Sequence, residues 1–248
     1  MNAIAVNREA TIQREAISGD DDCVIVDNFL QGPHQLVDFA AKHAGQFGRE
    51  ASSYPGPLFR VDAEAMAEIY RYIRFKMSKH FPFLKGGLDF WSYLSIVTER
   101  PADLSYAQRI CHTDPERNPG RVPYAAIVYL FENEDLGGTS FYRWKELDLA
   151  RQAEALGRDD PDEALTFLQE HFPTYREPPC YMTESNEIAD LLRTIPARFN
   201  RMVFYSGDVP HSGAIMAPEL LSEDVRRGRL TLNVFVSALP GQTVSPSH

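Results

Sequence analysis

Four segments of the chain are rich in β-branched and aromatic residues and predict β-strands. They cover residues 90–98 (FWSYLSIVT), 122–131 (VPYAAIVYLF), 200–206 (NRMVFYS) and 229–237 (RLTLNVFVS). The first and last alternate from residue to residue, as expected for strands whose two faces meet different surroundings. The second is an apolar run typical of a buried strand, and Gly137 and Gly138 mark a turn that leads to a further strand over residues 139–142. The chain is therefore predicted to be mainly β, with helices on its flanks.

A candidate metal motif precedes the second of these strands. His112 and Asp114 are spaced as His-x-Asp, and alternate residues of a strand point the same way, so both side chains can reach one point. A distant second histidine would complete the facial triad that holds Fe(II) while leaving positions open for substrate and oxygen. His211, in YSGDVPHSG, is the candidate. A His-x-Asp arises by chance in about one of two chains of this composition, so the motif depends on its context.

The last strand carries a polar row. Arg229, Thr231 and Asn233 alternate with apolar residues and share one face. Polar side chains inside a small barrel are costly unless they meet a ligand or are fully hydrogen-bonded. A guanidinium group can bind a carboxylate through two parallel hydrogen bonds. Arg229 is therefore predicted to point into the barrel and to bind an acid.

These fragments, taken in order, resemble the prolyl-hydroxylase-like branch of the Fe(II)/2-oxoglutarate-dependent dioxygenases. They are His-x-Asp, YLF…GGTSF, NRMVFYSGDVPHSG and RLTLNVFV over residues 91–238, preceded by VIVDNFLQGPHQLVDFA near the N-terminus. The chain departs from the family pattern at Phe131, where the family has Asn. It also has a longer stretch between the two histidines, and its arginine lies farther past the second one. The closest resemblance is to bacterial members without an assigned substrate.

The resemblance implies a double-stranded β-helix (jelly roll) with N-terminal buttressing helices and a helical insertion. It implies an oxidoreductase, a dioxygenase with Fe(II) as cofactor and 2-oxoglutarate as cosubstrate, that hydroxylates an unidentified substrate and releases succinate and CO2. The implied metal ligands and catalytic residues are His112, Asp114 and His211. Arg229 would anchor 2-oxoglutarate, Tyr129 would donate a second hydrogen bond, and Thr231 is a further candidate for cosubstrate binding.

The chain divides into an N-terminal arm and one domain. Residues 1–22 are polar, end in an acidic run and are expected to form a flexible arm. Residues 23–248 would form a single β-helix domain, interrupted by a helical insertion at about residues 145–198. Within residues 145–172 of this insertion, LDLARQAEAL and PDEALTFLQEHF have the apolar spacing of two helices, and a further helix is expected over residues 183–195. An insertion this long is expected to be a lid or wall over the metal site. Its loop PTYREPPCYM offers Tyr175, Arg176 and Tyr181 as substrate contacts.

Composition excludes several classes of partner. The net charge of −10 argues against nucleic-acid binding, which depends on clustered Lys and Arg. No apolar run approaches the roughly 18 residues of a membrane span, and the start lacks a signal peptide's apolar region. Three scattered cysteines suggest a reducing compartment, so the protein is expected in the cytoplasm. The substrate is expected to be a small molecule or a protein side chain. The sequence leaves open whether the chain forms a homodimer.

Two other functions fit the same residues. One is a non-catalytic jelly-roll binding or scaffold protein that keeps the triad but does not catalyse a reaction. The other is a cupin-like metalloprotein that does not use 2-oxoglutarate. Arg229 separates the cupin-like protein from the oxygenase: Arg229→Lys should weaken 2-oxoglutarate binding in the oxygenase, and unchanged 2-oxoglutarate binding would favour the cupin-like protein.

Overall fold

The computed structural model describes residues 4–49, 54–114 and 119–239. It contains ten strands and four α-helices within these ranges. The strands are β1 Thr11–Ser18, β2 Asp21–Asp27, β3 Leu58–Arg60, β4 Leu88–Val97, β5 Val122–Tyr129, β6 Thr139–Trp144, β7 Ala189–Ile195, β8 Met202–Ser206, β9 His211–Gly213 and β10 Arg229–Ala238. The helices are α1 Pro33–Lys42, α2 Ala67–Lys76, α3 Leu147–Gly157 and α4 Pro161–His171. No helix in these ranges has the length and apolar character needed to cross a bilayer.

The strands form two antiparallel sheets. The large sheet has the order β1-β2-β8-β5-β10-β4-β3 and the small sheet has the order β7-β6-β9. A bridge between His112 and His211 extends the small sheet beyond β9. From β4 onward the chain passes repeatedly from one sheet to the other: β4, β5, β8 and β10 lie in the large sheet, and the segments between them contribute to the small one. This winding is a double-stranded β-helix, or jelly roll, and the predicted fold class is confirmed.

The two faces of the large sheet meet different surroundings. Leu230, Leu232 and Val234 of β10 point outward into a core that also contains Leu36 of α1 and Ile69 of α2. The alternating residues of β10 point inward, toward the small sheet. Helices α1 and α2 therefore buttress the outside of the large sheet, as predicted, and the polar row that starts at Arg229 lies inside the barrel.

The N-terminal segment is not a loose arm. Strand β1 pairs residue by residue with β2, and Val6 forms a bridge with Leu30. Ile4 and Val6 are buried. The prediction of a flexible arm over residues 1–22 was wrong for residues 4–22, and residues 1–3 lie outside the described ranges. The segment reads as polar because β1 is an edge strand whose side chains are mostly exposed, while its backbone hydrogen bonds do not depend on side-chain polarity.

The insertion is helical only in its first half. Helices α3 and α4 confirm the two helices predicted between residues 145 and 172, but the helix predicted over residues 183–195 was wrong. That segment contains β7, which pairs with β6 from Trp144↔Ala189 to Thr139↔Ile195. The spacing of Ile188, Leu191 and Leu192 fits a helix face, but the free edge of β6 offers backbone partners that the local pattern does not reveal.

Candidate metal centre

Three predicted ligands meet at one point of the barrel. One ligand atom each from His112, Asp114 and His211 lies within 4.8 Å of the other two, and His211 Nε2 is 3.9 Å from Asp114 Oδ1. Two ligands of one metal at roughly 2.2 Å are at most about 4.4 Å apart. Small side-chain rotations would therefore bring all three onto a single ion.

Backbone hydrogen bonds hold the two metal-bearing segments together. The His112 N–H donates to the His211 carbonyl at 3.0 Å, and the His211 N–H donates to the His112 carbonyl at 2.8 Å. The Asp114 N–H donates to the Gly207 carbonyl at 2.8 Å. A Cβ on Gly207 would lie 2.7 Å from both Cβ and Oδ2 of Asp114. Only glycine leaves room for this carboxylate to approach the turn before β9.

The electrostatics of the site keep both imidazoles neutral. His211 Nδ1 lies 2.9 Å from the Val209 carbonyl, which can only accept, so Nδ1 carries the proton and the Nε2 lone pair is available to a metal. Burial lowers the pKa of His211 to about 4. The pKa of His112 is also lowered, first by desolvation and then by the neighbouring His211, with Asp114 acting in the opposite direction. His112 is nevertheless the exposed member of the triad.

Asp114 is the buried acid of the site. The residue is 9% exposed, and Oδ2 has no hydrogen-bond partner among the described residues. Burial raises the pKa of Asp114 to about 6, against the effect of His112. A buried, unpartnered carboxylate oxygen is costly, and a bound cation would remove that cost. Two imidazoles and one carboxylate with the remaining positions open are the donor set of non-haem Fe(II) sites, so these residues fit that ion.

Arg229 points into the barrel beside the triad. It is 4% exposed, and a Cβ on Gly213 would be 3.7 Å from its Nη2. Gly213 lies two residues after His211 on β9 and so faces the same way, at a separation of about 6.6 Å along the strand. The guanidinium therefore lies beside Gly213, one two-residue strand repeat along β9 from the predicted metal ligand His211.

The Gly-Gly turn holds this guanidinium through its backbone. Arg229 Nε donates to the carbonyls of Leu136 and Gly137, both at 3.1 Å, and Nη2 donates to the Gly138 carbonyl at 2.7 Å. Gly137 has φ +83°, and a Cβ there would lie 1.8 Å from the Ala214 carbonyl. The turn requires glycine to bring its carbonyls to Arg229.

Tyr129 and Thr231 lie next to Arg229. They face each other on β5 and β10, and both are buried. The Tyr129 hydroxyl is hydrogen-bonded to Thr139 Oγ1 at 2.8 Å, and the Arg229 Cζ is 6.0 Å from the Tyr129 ring centroid. The structure thus gathers all three residues predicted to bind the cosubstrate.

Two tyrosines that the sequence analysis did not single out also lie here. The Tyr205 ring packs edge-on against His211, with centroids 4.8 Å apart. Burial raises the pKa of Tyr205 well above its ordinary value, Asp114 adds to the rise, and Arg229 opposes it. Burial also raises the pKa of Tyr54, against the effect of Arg229. The alternation of β8 could have revealed Tyr205, whereas Tyr54 lies in a loop and gives no such signal.

The three predicted substrate contacts have different surroundings. The Tyr175 hydroxyl donates to the Tyr106 carbonyl at 2.8 Å, within the apolar core of the insertion. Arg176 donates to the carbonyls of Gln169 and Glu170 at the end of α4. Tyr181 packs in the barrel core with Tyr129 and Tyr205. Only Tyr181 is therefore brought into the core that surrounds the candidate site.

The insertion packs against the segment that leads to His112. Arg109 Nη2 donates to the carbonyls of Thr174 and Glu177 at 2.9 and 3.1 Å. The Cys111 N–H donates to the Met182 Sδ at 3.3 Å. These contacts make the insertion a support for the metal-bearing segment, and a role as a lid over the metal stays a prediction.

Comparisons with known proteins place the chain in a family. The model of a family described as "Family of unknown function (DUF6445)" matches residues 8–236. No curated protein matches the sequence. Among solved structures, the chain is similar to the non-haem α-ketoglutarate-dependent epimerase SnoN from nogalamycin biosynthesis, at 15% identity and TM-score 0.46, covering 92% of this chain and 89% of that one.

Two further structures show the same likeness. A Pseudomonas putida prolyl-4-hydroxylase matches at 14% identity and TM-score 0.44, covering 88% of this chain and 91% of that one. HygX from Streptomyces hygroscopicus, with nickel, 2-oxoglutarate and hygromycin B bound, matches at 11% identity and TM-score 0.44, covering 87% and 82%. The jelly-roll fold that the sequence motifs imply is confirmed by the strand order of the chain itself.

Proposed function

The chain belongs to DUF6445, a family of unknown function, and we propose that it is an Fe(II)- and 2-oxoglutarate-dependent oxygenase. It hydroxylates a substrate that is still to be identified, and it releases succinate and CO2. One observation carries the proposal: a His-Asp-His triad with an unpartnered buried carboxylate oxygen lies one strand repeat from a buried arginine.

The surroundings of Arg229 support an anionic ligand. Among the described residues, no carboxylate oxygen lies within 4.0 Å of its guanidinium nitrogens. Its hydrogen bonds to described residues use Nε and Nη2, so Nη1 is left for a further acceptor. A buried cation without an acidic partner is costly. A dicarboxylate that reaches from the metal to Arg229 would satisfy both the ion and the guanidinium.

Each residue has a distinct role in this proposal. His112, Asp114 and His211 would hold Fe(II), and the bound iron would supply the oxidative decarboxylation of 2-oxoglutarate and the oxidation of the substrate. Arg229 binds and orients the distal carboxylate of 2-oxoglutarate. The Val209 carbonyl keeps the His211 proton on Nδ1, and Asp114 would bind the ion as the ionised carboxylate. The buried tyrosines around Arg229 exclude water from the cosubstrate.

Succinate formation tests the proposal. Purified protein supplied with Fe(II), oxygen and 2-oxoglutarate should form succinate slowly without substrate. Asp114→Ala and His211→Ala should abolish this activity. His171→Ala, a histidine of α4 hydrogen-bonded to the Phe167 carbonyl, should leave it unchanged. Succinate formation that survives Asp114→Ala, or none from the unaltered protein, would contradict the assignment.

A further inference from the structure

One patch on the inner face of the large sheet is only partly buried. Trp91 and Tyr93 of β4, Ile127 of β5 and Phe235 of β10 are partly exposed, although inward-facing neighbours on these strands such as Ser95, Ala125, Tyr129 and Thr231 are buried. Phe235 lies opposite Trp91 in β4, and Asn233 lies between Tyr93 and Ile127. Because cross-strand partners point to the same face, the four partly exposed side chains form one surface, which we term the aromatic shelf.

The shelf lies beside the candidate metal centre. Strand pairing places Tyr205, Ala125, Phe235 and Trp91 in one row across β8, β5, β10 and β4. With strands about 4.8 Å apart, Phe235 is about 10 Å from Tyr205, whose ring contacts His211. Ala125, which is buried, lies between them and has a small side chain. A ligand of two or three rings would span this distance.

The open side of the metal centre faces the same direction. The chain leads from β4 to His112, which ends the small sheet on that side. His112 is exposed, whereas Asp114 and His211 are buried. The approach to the triad is therefore on the side of the barrel that carries β4 and the shelf.

The chemistry of the shelf favours a flat apolar ligand. The Trp91 and Phe235 rings stack on each other, with centroids 5.6 Å apart and an interplanar angle of 16°, so a ligand can contact the parts of their faces that the two rings do not cover in each other. The shelf itself contains no charged side chain. Flat conjugated rings gain more than buried area when they stack on aromatic faces, and aromatic side chains commonly line ligand pockets.

We propose that the aromatic shelf is the substrate-binding surface of this protein and that it selects molecules carrying a flat aromatic or conjugated ring. This inference rests on the proposed oxygenase function, since it assigns the substrate class of the same site. Trp91 and Phe235 are the residues that determine this specificity, and the group to be oxidised extends from the bound ring toward the triad.

Calorimetric binding of two matched probes tests the inference. The probes are 2-naphthol, which is flat, and decahydro-2-naphthol, its saturated counterpart with the same hydroxyl. The unaltered protein should bind 2-naphthol at least fivefold more tightly. Trp91→Leu and Phe235→Leu should each weaken 2-naphthol binding five- to tenfold, because stacking is lost, and Trp91→Phe should restore most of it.

Phe90→Leu is the matched control. Phe90 precedes Trp91 on β4 but points to the opposite face, where it stacks on Tyr70 with centroids 4.4 Å apart. Its replacement should leave 2-naphthol binding within twofold of the unaltered protein. Equal binding of the two probes, or equal losses in Trp91→Leu and Phe90→Leu, would overturn the inference.

Separate measurements of metal binding and of 2-oxoglutarate binding on the same variants distinguish a failure of the substrate-class proposal from a failure of the oxygenase proposal. If the protein binds Fe(II) and 2-oxoglutarate but does not prefer the flat probe, the substrate class is wrong and the oxygenase function stands. If it prefers the flat probe but does not bind 2-oxoglutarate, the shelf is a ligand site and the oxygenase function is wrong. Retained 2-oxoglutarate binding in Trp91→Leu also shows that this variant folds.

Discussion

Gly207→Ala should weaken metal binding without removing any ligand. The new Cβ would lie 2.7 Å from Cβ and Oδ2 of Asp114 and 3.0 Å from Cβ of Pro123. Ordinary contact begins at 3.4 Å, so the carboxylate must move by 3.4 − 2.7 = 0.7 Å. Displacements of about 1 Å at a reactive centre cost as much as 100-fold, and altered support of metal ligands typically costs 10- to 100-fold in affinity. Metal affinity should therefore fall about 10- to 100-fold.

The same substitution should cost little stability. Gly207 does not have a positive φ, so alanine can adopt its backbone conformation. Overpacking costs about 1–3 kcal/mol, and the stiffer unfolded chain returns about 0.4–1 kcal/mol. Urea denaturation should show a net loss of no more than about 2.5 kcal/mol.

Calorimetric titration with Mn(II), which is stable in air, measures the affinity. Gly45→Ala is the control, because Gly45 has no atom within 4 Å of its added Cβ. It should match the unaltered protein in both assays. A folded Gly207→Ala protein that binds Mn(II) as tightly as the unaltered protein would refute the assignment of Asp114 as a ligand held by this turn.

Three further substitutions test other parts of the site. Arg229→Lys keeps the charge but loses the planar fork of the guanidinium. The affinity for 2-oxoglutarate, measured by calorimetry, should therefore fall about tenfold or more, while the affinity for Mn(II) should not change. Unchanged 2-oxoglutarate binding would favour the cupin-like alternative. Asp114→Asn should stabilise the metal-free protein by about 3 kcal/mol at neutral pH. Burial raises the pKa of the Asp114 carboxyl from 3.8 to about 6, so its ionisation costs folding stability increasingly from pH 4 to 6. The gain seen in urea denaturation should therefore vanish near pH 4, and a gain independent of pH would contradict this cause. Tyr175→Phe removes the hydrogen bond to the Tyr106 carbonyl and should lower the free energy of unfolding by about 1 kcal/mol, while the affinity for 2-oxoglutarate should not change. An undiminished free energy of unfolding would show that this contact does not hold the insertion.

The residues of the candidate site could be predicted because their geometry is local. His112 and Asp114 share a face through simple alternation, and Arg229 and Thr231 do so for the same reason. The apolar core face of β10 could be predicted from the same alternation. Alternation alone does not predict that the His112–Asp114 pair lies near the Arg229–Thr231 pair. That prediction needs the order of the strands, which came from the resemblance to a known family.

Other features depend on partners that are distant in the sequence. Residues 183–195 have apolar spacing that fits a helix, and only pairing with β6 makes part of them a strand. Strand β1 looks like a polar tail because an edge strand needs few apolar side chains. The aromatic shelf depends on the register that sets Phe235 opposite Trp91, and Tyr54 reaches the site from a loop. No local pattern in the sequence reports these contacts.

The most direct test of the account is the optical spectrum of the Fe(II)-loaded protein during anaerobic titration with 2-oxoglutarate. Chelation of Fe(II) by the keto and carboxylate oxygens of 2-oxoglutarate gives a visible charge-transfer absorption that neither component has alone. The account predicts that this absorption saturates at one 2-oxoglutarate per chain, that Arg229→Lys requires about tenfold more 2-oxoglutarate to reach it, and that Asp114→Ala abolishes it. A protein that binds Fe(II) through His112, Asp114 and His211 but shows no such absorption at saturating 2-oxoglutarate would contradict the central claim.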